Sequence, residues 1–310
     1  MAVNLKGRDY ISIHDFTVEE FNQFLEVAHH LKRLHLVGTA FTPLLGKTLA
    51  MIFHKPSTRT RVSFEVGMSQ LGGRALYLSA SELQLRRGET IGDTAQVLSR
   101  YVDAILIRTF SHQDVVDLAK FATVPVINGL TDLLHPTQAL ADVMTIQEKK
   151  GGLRGVKLAY VGDGNNVAHS LMFAAAKTGM RIAIACPEGY DPRPEIVKLA
   201  KEDALQTGTT IELLRDPFEA VSGADVVYTD VWASMGQEEE HAKRVKALSR
   251  YQVNKKLMEA ANKDAIFMHC LPAHRGEEVT DEVMDSKQSV VFDQAENRLH
   301  AHKAILALLL

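Results

Sequence analysis

The chain has 310 residues, which is enough for two domains of ordinary size. Hydrophobic residues make up 46% of it and charged residues 24%, the usual balance of a globular protein. The formal net charge is −3 and the sequence has no basic block, which argues against nucleic acid as a partner.

The cysteines and the apolar segments indicate in which cellular compartment the protein works. Cys186 and Cys270 are the two cysteines, and neither belongs to a CxxC pair, so no disulfide framework is indicated. The first residues lack the apolar core of a signal peptide, and no apolar run reaches membrane-spanning length. We therefore expect a cytoplasmic protein without a membrane partner, although a processed organellar protein would have the same appearance.

The first half of the chain alternates apolar strands with amphipathic helices. A helix is predicted over residues 17–36, with Thr17 as its cap. The predicted strands cover residues 48–53, 75–78, 104–107 and 125–127. The predicted helices cover residues 57–71, 90–101, 112–121 and 137–149. This alternation predicts a parallel sheet covered by helices.

A glycine-rich segment, residues 149–155, is the clearest break in composition and predicts a domain boundary. A second set of apolar strands follows at residues 157–161, 181–185, 210–214, 226–229 and 266–268. A last helix is predicted over residues 294–310. The sequence therefore predicts an α/β protein of two doubly wound parallel-sheet domains, residues 1–148 and 149–293.

Residues 53–61 predict a phosphate site. They read Phe-His-Lys-Pro-Ser-Thr-Arg-Thr-Arg and follow an apolar strand directly. Ser57 or Thr58 can cap the next helix, whose first turn offers free N–H groups and a positive dipole end. Arg59 and Arg61 add charge, and an arginine can grip a phosphate with two parallel hydrogen bonds. The alternative is an ordinary capped helix with two solvated arginines.

Other polar residues also stand where predicted strands end, and ligands of parallel sheets gather at that edge. Arg108 follows one strand, and His135 and Gln138 follow the next. In the second half, Asp230 and the segment 269–272 occupy the same kind of position. This distribution favours a binding cleft over scattered surface polarity.

The segment 161–168 invites a dinucleotide-binding interpretation. Gly162 and Gly164 fit the first two glycines of GxGxxG/A, but Val167 stands at the third. A partial match of this kind is weak, so we expect no NAD. The thirteen histidines show no zinc-type spacing, and we expect neither a metal nor another cofactor.

Four motifs occur in chain order: Ser57-Thr-Arg-Thr-Arg61, His135-Pro-Thr-Gln138, Asp230-Val-Trp-Ala-Ser-Met-Gly236 and His269-Cys-Leu-Pro272. Together they resemble the transcarbamylase family over roughly residues 5–308, and the last two resemble its ornithine-specific members. The resemblance implies two domains with a cleft between them and a C-terminal helix, residues 294–310, that packs back on the first. It also implies carbamoyl transfer from carbamoyl phosphate to the δ-amine of L-ornithine.

The resemblance assigns roles residue by residue. It implies a carbamoyl phosphate site made of Ser57, Thr58, Arg59, Thr60, Arg61, Arg108, His135, Gln138, Cys270, Leu271 and Arg298. It implies an ornithine site made of Asn165, Asn166, Asp230, Ser234 and Met235. Among these two sets it implies catalytic roles for Arg108, His135, Gln138, Asp230, Cys270 and Arg298.

Two of these residues carry a competing structural interpretation. A buried cysteine is usually an inert small hydrophobe, whereas the resemblance puts Cys270 beside the δ-amine without making it a covalent nucleophile. Arg298 is predicted to stand in the first turn of the last helix, where a cation opposes the helix dipole. That unfavourable position makes a bound anion more credible than a solvated charge.

Three alternatives stay open from the sequence. The acceptor could be putrescine or an N-acylated ornithine, with aspartate least favoured, or the protein could be a non-catalytic phosphometabolite sensor. The resemblance also implies a homotrimer or a multiple of trimers, in which residues 79–87 reach the neighbouring subunit.

Overall fold

The computed structural model describes residues 3–80, 88–233 and 238–310. The chain divides into two compact units, the first made of residues 1–144 and 297–310 and the second of residues 145–296. The division falls inside two helices, at 144/145 and at 296/297. The sequence predicted domain limits a few residues away, at 148/149 and 293/294, and these limits stay predictions.

The first unit is built on a four-stranded parallel sheet with the order β2-β1-β3-β4. Its strands are β1 Thr48–Phe53, β2 Arg74–Ser79, β3 Ala104–Arg108 and β4 Val126–Leu130. Its helices are α1 Val18–Leu36, α2 Thr58–Gln70, α3 Ile91–Leu98, α4 His112–Phe121 and most of α5 Pro136–Lys150. The order of the strands reverses between β1 and β3, so the loops after these two strands diverge at the carboxyl edge and leave room for a ligand.

The second unit is built on a five-stranded parallel sheet with the order β7-β6-β5-β8-β9. Its strands are β5 Lys157–Val161, β6 Arg181–Ala185, β7 Ile211–Leu214, β8 Val226–Thr229 and β9 Ile266–His269. Its helices are α6 Asn166–Thr178, α7 Pro194–Ala204, α8 Pro217–Val221, α9 His241–Leu248, α10 Lys255–Glu259 and α11 Asp281–Met284. Here the reversal lies between β5 and β8.

The predicted α/β class with two parallel sheets is confirmed. Every residue of β3, β8 and β9 is buried, as expected for strands covered by helices on both faces. Apolar side chains of β1 and β3 pack with α4 in the first unit, and those of β5 and β8 pack with α8 and α10 in the second. Across the described ranges, no helix combines the length and apolarity that crossing a bilayer requires.

The last helix differs from the prediction in one respect that matters for the site. Helix α12 covers Val291–Leu309, so it begins three residues earlier than expected. Arg298 therefore lies two turns inside the helix and is buried, with 3% of its surface exposed. The predicted first-turn position was wrong, and Arg298 does not lie at the positive end of the helix dipole.

Candidate active site

The first turn of α2 is arranged to receive an anion. Ser57 is the N-cap in extended conformation, and its Oγ accepts a hydrogen bond from the N–H of Thr60 at 3.2 Å. The turn that follows carries two arginines and no acidic residue. The remaining N–H groups and the positive end of the helix dipole thus point beyond the carboxyl end of β1.

A buried chain of polar side chains ties this turn to α5 and α12. The guanidinium of Arg298 donates through Nη2 to Thr60 Oγ1 at 2.6 Å and through Nη1 to Gln138 Oε1 at 2.8 Å. Gln138 in turn donates through Nε2 to Asp142 Oδ1 at 2.7 Å. These contacts orient the Gln138 amide, because its oxygen faces the cation and its nitrogen faces the carboxylate.

His135 and Arg108 complete the buried part of this group. Only 4% of His135 and 6% of Arg108 are exposed. Burial lowers the pKa of His135 well below its ordinary value, and electrostatic interactions with Arg298, Arg108, His302 and Arg59 lower it further. His135 is therefore a neutral imidazole at neutral pH, which can donate one N–H without carrying a charge.

Some of the predicted phosphate residues are directed elsewhere. Arg61 is exposed, donates to Glu65 Oε1 at 3.0 Å and lies over the Tyr77 ring with 3.8 Å from its Cζ to the ring centroid. Thr58 is also exposed, whereas Arg59 is half-buried and contributes to the field at His135. The structure thus brings Thr60, Gln138 and Arg298 into direct contact and leaves Arg61 outside that contact network.

In the second unit a carboxylate is held at the point where the strand order reverses. Asp230 directly follows β8, and 5% of it is exposed. Its Oδ2 accepts from Asn165 Nδ2 at 2.7 Å, and its Oδ1 accepts from the thiol of Cys270 at 2.9 Å. Asn165 follows β5 and Cys270 follows β9, so the Asp230 carboxylate links residues at the carboxyl ends of β5, β8 and β9.

Asn165 owes its orientation to the start of α6. Its Oδ1 caps the helix by accepting from the N–H groups of Val167 at 2.9 Å and Ala168 at 3.2 Å, and it also accepts from the hydroxyl of Tyr160 at 3.1 Å. With the oxygen committed to these donors, the amide nitrogen faces Asp230. Asn166, the first residue of α6, is buried beside it with 9% exposed.

His269 fixes the backbone next to Cys270. Its Nδ1 accepts from the N–H of Leu271 at 2.8 Å, so its Nε2 carries the proton and donates to Glu278 Oε1 at 3.2 Å. Leu271 adopts a positive φ of 60°, which is unusual for a leucine. Asp230, His269 and Cys270 each offer a possible metal ligand within 4.8 Å of the others, but both nitrogens of His269 are already engaged.

Asp163 and the loop after Asp230 complete this edge. Burial raises the pKa of Asp163 to about 6, against the opposing charge of Arg244, whose Nη1 donates to its Oδ2 at 2.8 Å. Arg244 also donates to the carbonyl of Trp232 at 3.0 Å, which anchors α9 beside the loop. Ser234 and Met235, two predicted ornithine residues, lie outside the described residues.

Comparison with known proteins decides the family. Residues 8–148 match the carbamoyl-P binding domain of aspartate/ornithine carbamoyltransferases, and residues 154–309 match their Asp/Orn binding domain. The chain belongs to the aspartate/ornithine carbamoyltransferase family. The resemblance drawn from the four sequence motifs is thereby confirmed.

Relatives within this family cover the whole chain. The chain is 62% identical over 310 residues to the ornithine carbamoyltransferase of Thermococcus kodakarensis, covering 100% of this chain and 98% of the relative. A solved structure of the ornithine carbamoyltransferase from Pyrococcus furiosus superposes with a TM-score of 0.97 at 62% identity, covering 99% of this chain and 98% of that one. The more distant ornithine transcarbamoylase of Giardia lamblia still gives a TM-score of 0.88 at 37% identity, covering 97% of each chain.

Sequence reasoning missed three residues that contact or neighbour the candidate residues in one unit or the other. Tyr160 holds Asn165, and Gln294 accepts from the N–H of His269 at 3.0 Å. His302 stacks on Phe64 of α2 with ring centroids 4.0 Å apart, and its Nδ1 lies 2.8 Å from Ser63 Oγ. Tyr160 could be recognised only as a strand residue, and Gln294 and His302 only as helix residues, because their contacts join residues that are far apart along the chain.

Proposed function

We propose that this protein transfers the carbamoyl group of carbamoyl phosphate to the δ-amine of L-ornithine, giving L-citrulline and phosphate. Relatives that are 62% identical over the full chain carry the name ornithine carbamoyltransferase. The observation that carries the acceptor assignment is the Asp230 carboxylate, whose two oxygens are oriented by Cys270 and Asn165. A buried, oriented carboxylate suits an acceptor that bears an ammonium group.

Carbamoyl phosphate is proposed to bind in the first unit. The phosphate would lie at the first turn of α2, in contact with Ser57, Thr58, Arg59, Thr60 and Arg61. Arg108 and Arg298 would contact the phosphate and carbamoyl oxygens, and Cys270 and Leu271 are proposed to complete this set. The concentration of cationic groups, which depresses the pKa of His135, supports an anionic ligand here.

His135 and Gln138 are proposed to bind the carbamoyl group itself. Burial and nearby cations lower the pKa of His135, so the neutral imidazole is proposed to donate a hydrogen bond to the carbamoyl oxygen. That oxygen gains negative charge as the amine adds, and oriented donors stabilise it most in the transition state. The Arg298 contact, which fixes the Gln138 amide, keeps one of these groups in position before the substrate arrives.

Ornithine is proposed to bind in the second unit. Asp230 would pair with its α-ammonium, Asn166 and Asn165 would bind near its α-carboxylate, and Ser234 and Met235 would contact its α-amino-acid end. Cys270 would contact the δ-amine through its sulfur. Because the thiol already donates to Asp230, the geometry supports a positioning contact over covalent attack.

The chemical step needs a neutral amine, since an ammonium has no lone pair. Amine pKa values lie near 10 in water, and nearby cations lower them. The δ-nitrogen then forms a bond to the carbamoyl carbon, and the tetrahedral intermediate collapses with cleavage of the bond between that carbon and the bridging phosphate oxygen. The departing phosphate is proposed to take the proton, and holding the two substrates in line supplies much of the acceleration.

Further properties are proposed from the family. We propose residues 1–148 with the C-terminal helix 294–310 as the carbamoyl phosphate part, and residues 149–293 as the ornithine part. We also propose a homotrimer or a multiple of trimers located in the cytoplasm, in which residues 79–87 reach the neighbouring subunit; residues 81–87 lie outside the described residues. A 62%-identical relative from Pyrococcus furiosus is named an anabolic ornithine carbamoyltransferase, which supports a role in arginine biosynthesis.

An acceptor panel tests the proposal. The enzyme should form a carbamoylated product from carbamoyl phosphate and ornithine, and do so far less from acetylornithine, putrescine or aspartate. Acetylornithine lacks the α-ammonium and would leave Asp230 buried without its cation, at a cost of about 3–5 kcal/mol, so we expect discrimination above about a hundredfold. Comparable turnover of ornithine, acetylornithine and putrescine would refute the ornithine assignment, and no turnover of any acceptor would favour the phosphometabolite sensor.

A further inference from the structure

Two histidines and a glutamate converge on the surface of the second unit, outside the candidate active site. His241 Nε2 lies 3.0 Å from Glu277 Oε2, and His274 Nδ1 lies 3.7 Å from the same oxygen. The possible ligand atoms of the three residues all lie within 4.8 Å of one another. Their side chains are 42%, 44% and 30% exposed, so an ion in solution can reach them.

The spacing fits a single metal ion. Nitrogen and oxygen ligands lie about 2.0–2.2 Å from zinc, and two ligands in tetrahedral arrangement are then about 3.4 Å apart. The two measured separations, 3.0 and 3.7 Å, lie on either side of this value. The third pair of ligand atoms, one on His241 and one on His274, is also within 4.8 Å, so rotation of the two exposed imidazoles can bring all three atoms around one centre.

The turn that carries two of the three ligands is held rigidly by other contacts. Its backbone closes through Glu277 N to His274 O at 2.9 Å, and Gly276 adopts a φ of 92°, which suits glycine. Gln252 Nε2 donates to the carbonyls of Gly276 at 2.9 Å and Glu277 at 2.8 Å. The N–H of His274 donates to Glu278 Oε1 at 2.6 Å, and Glu278 is fully buried.

The third ligand comes from a separate element that is also anchored. His241 is the first residue of α9, and Arg244 fixes this helix by its contacts with Asp163 and Trp232. The ligands therefore belong to two supports that keep their positions without an ion. Pre-organisation of this kind reduces the entropic cost of binding.

We propose that His241, His274 and Glu277 form a binding site for a divalent transition-metal ion of the zinc type, which links the start of α9 to the turn 274–277. Two imidazoles and one carboxylate suit Zn²⁺, Ni²⁺ or Co²⁺ better than Mg²⁺ or Ca²⁺, which take oxygen ligands. Water completes the coordination sphere on the exposed side. Metal binding stabilises the second unit by mass action, since the unfolded chain does not hold the three ligands together.

Zinc binding to the unmodified protein and to single variants tests the site. Equilibrium dialysis with Zn²⁺ alone should show that His241→Ala and Glu277→Gln each lose one bound equivalent or weaken it by at least about 10–100-fold, the range measured for lost outer-shell partners. The matched control is His30→Ala, which removes an exposed histidine of α1. Zn²⁺ should also raise the unfolding temperature of the unmodified protein more than that of His241→Ala.

A second variant separates this site from the candidate active site. Asp230, His269 and Cys270 could also attract zinc, so Cys270→Ser is measured in parallel. The equivalent lost in His241→Ala should persist in Cys270→Ser and in His30→Ala. Three results would overturn the proposal: equal zinc binding by the unmodified protein and His241→Ala, loss of all zinc binding in Cys270→Ser, or no zinc binding by the unmodified protein. In each of those cases His241 and Glu277 form a simple surface hydrogen bond.

Discussion

The contact between Thr60 and Arg298 makes a sharp test of the proposed carbamoyl phosphate site in the first unit. Thr60 is fully buried and Arg298 is 3% exposed, and their hydrogen bond of 2.6 Å has a charged donor. Replacing Thr60 by valine keeps the shape and the branching at Cβ but removes the acceptor. A hydrogen bond to a charged group contributes about 1.5–3 kcal/mol, which corresponds to a factor of about 10–150.

The expected consequence appears in the kinetics with carbamoyl phosphate. Without Thr60 Oγ1 the guanidinium of Arg298 loses one of the partners that orient it, so the group that is proposed to contact the substrate is held less firmly. In Thr60→Val, kcat/KM for carbamoyl phosphate should fall by about tenfold or more. The KM for ornithine, measured at saturating carbamoyl phosphate, should change little. Initial rates of citrulline formation with each substrate varied in turn provide the measurement.

Thr60→Ser is the matched control, because it keeps the hydroxyl and removes only a methyl group. It should behave much more like the unmodified enzyme than the valine variant does. If the serine variant loses as much as the valine variant, the buried methyl matters and the hydroxyl does not. If both variants keep the unmodified kcat/KM for carbamoyl phosphate, Thr60 does not act through Arg298 and the reasoning fails.

Three more predictions follow from single contacts. Cys270→Ser removes the sulfur that is proposed to contact the δ-amine, so the KM for ornithine should rise. The serine hydroxyl still donates to the Asp230 carboxylate, so measurable turnover should remain. A carbamoyl group trapped on Cys270 during turnover of the unmodified enzyme would contradict this. Gly164→Ala would put a Cβ 2.3 Å from the backbone nitrogen of Pro192, so thermal unfolding should reveal a loss of about 1–3 kcal/mol or more, whereas Gly152→Ala, with nothing within 4 Å, should be harmless. Burial lowers the pKa of His300 to about 3 in the folded protein, whereas the pKa of a histidine in the unfolded chain is about 6.5. Below pH 6.5 the unfolded chain therefore binds more protons than the folded protein does. The stabilising effect of neutral His300 is therefore complete above that value and is lost as pH falls towards 3, and denaturant titrations should show a smaller loss between pH 7 and pH 4 for His300→Gln.

Local signals carried much of the prediction from sequence. The start of α2 was predicted correctly from the apolar run, the proline and the capping Ser57 that precede it, because capping depends on neighbours in the chain. Arg108 and His135 were placed correctly at the ends of β3 and before α5 because strand ends follow from short apolar runs. The parallel topology then followed from the alternation of elements.

Tertiary contacts limited the rest. The start of α12 was missed because Val291 is β-branched and disfavours a helix locally, yet its burial to 1% exposure outweighs that preference. The two phosphate arginines look equivalent in sequence, but Arg61 turns to Tyr77 and Glu65. His241 and His274 are far apart along the chain, so a spacing rule for metal ligands could not bring them together.

The two units use the same topological position for opposite chemistry. In each sheet the strand order reverses once, and most of the candidate residues follow the two strands at that reversal or the next strand along, which is β4 in the first sheet and β9 in the second. The first unit collects cationic groups and keeps His135 neutral among them, so this edge favours an anion and rejects a second cation. The second unit places one buried carboxylate, Asp230, at the equivalent edge and orients it with uncharged donors. Because neither of these two donors carries a positive charge, the carboxylate favours an acceptor with an ammonium and disfavours one whose carboxylate would approach it. Discrimination between acceptors should therefore depend on the ends of β5, β8 and β9, and affinity for carbamoyl phosphate on the ends of β1 and β3 together with α12.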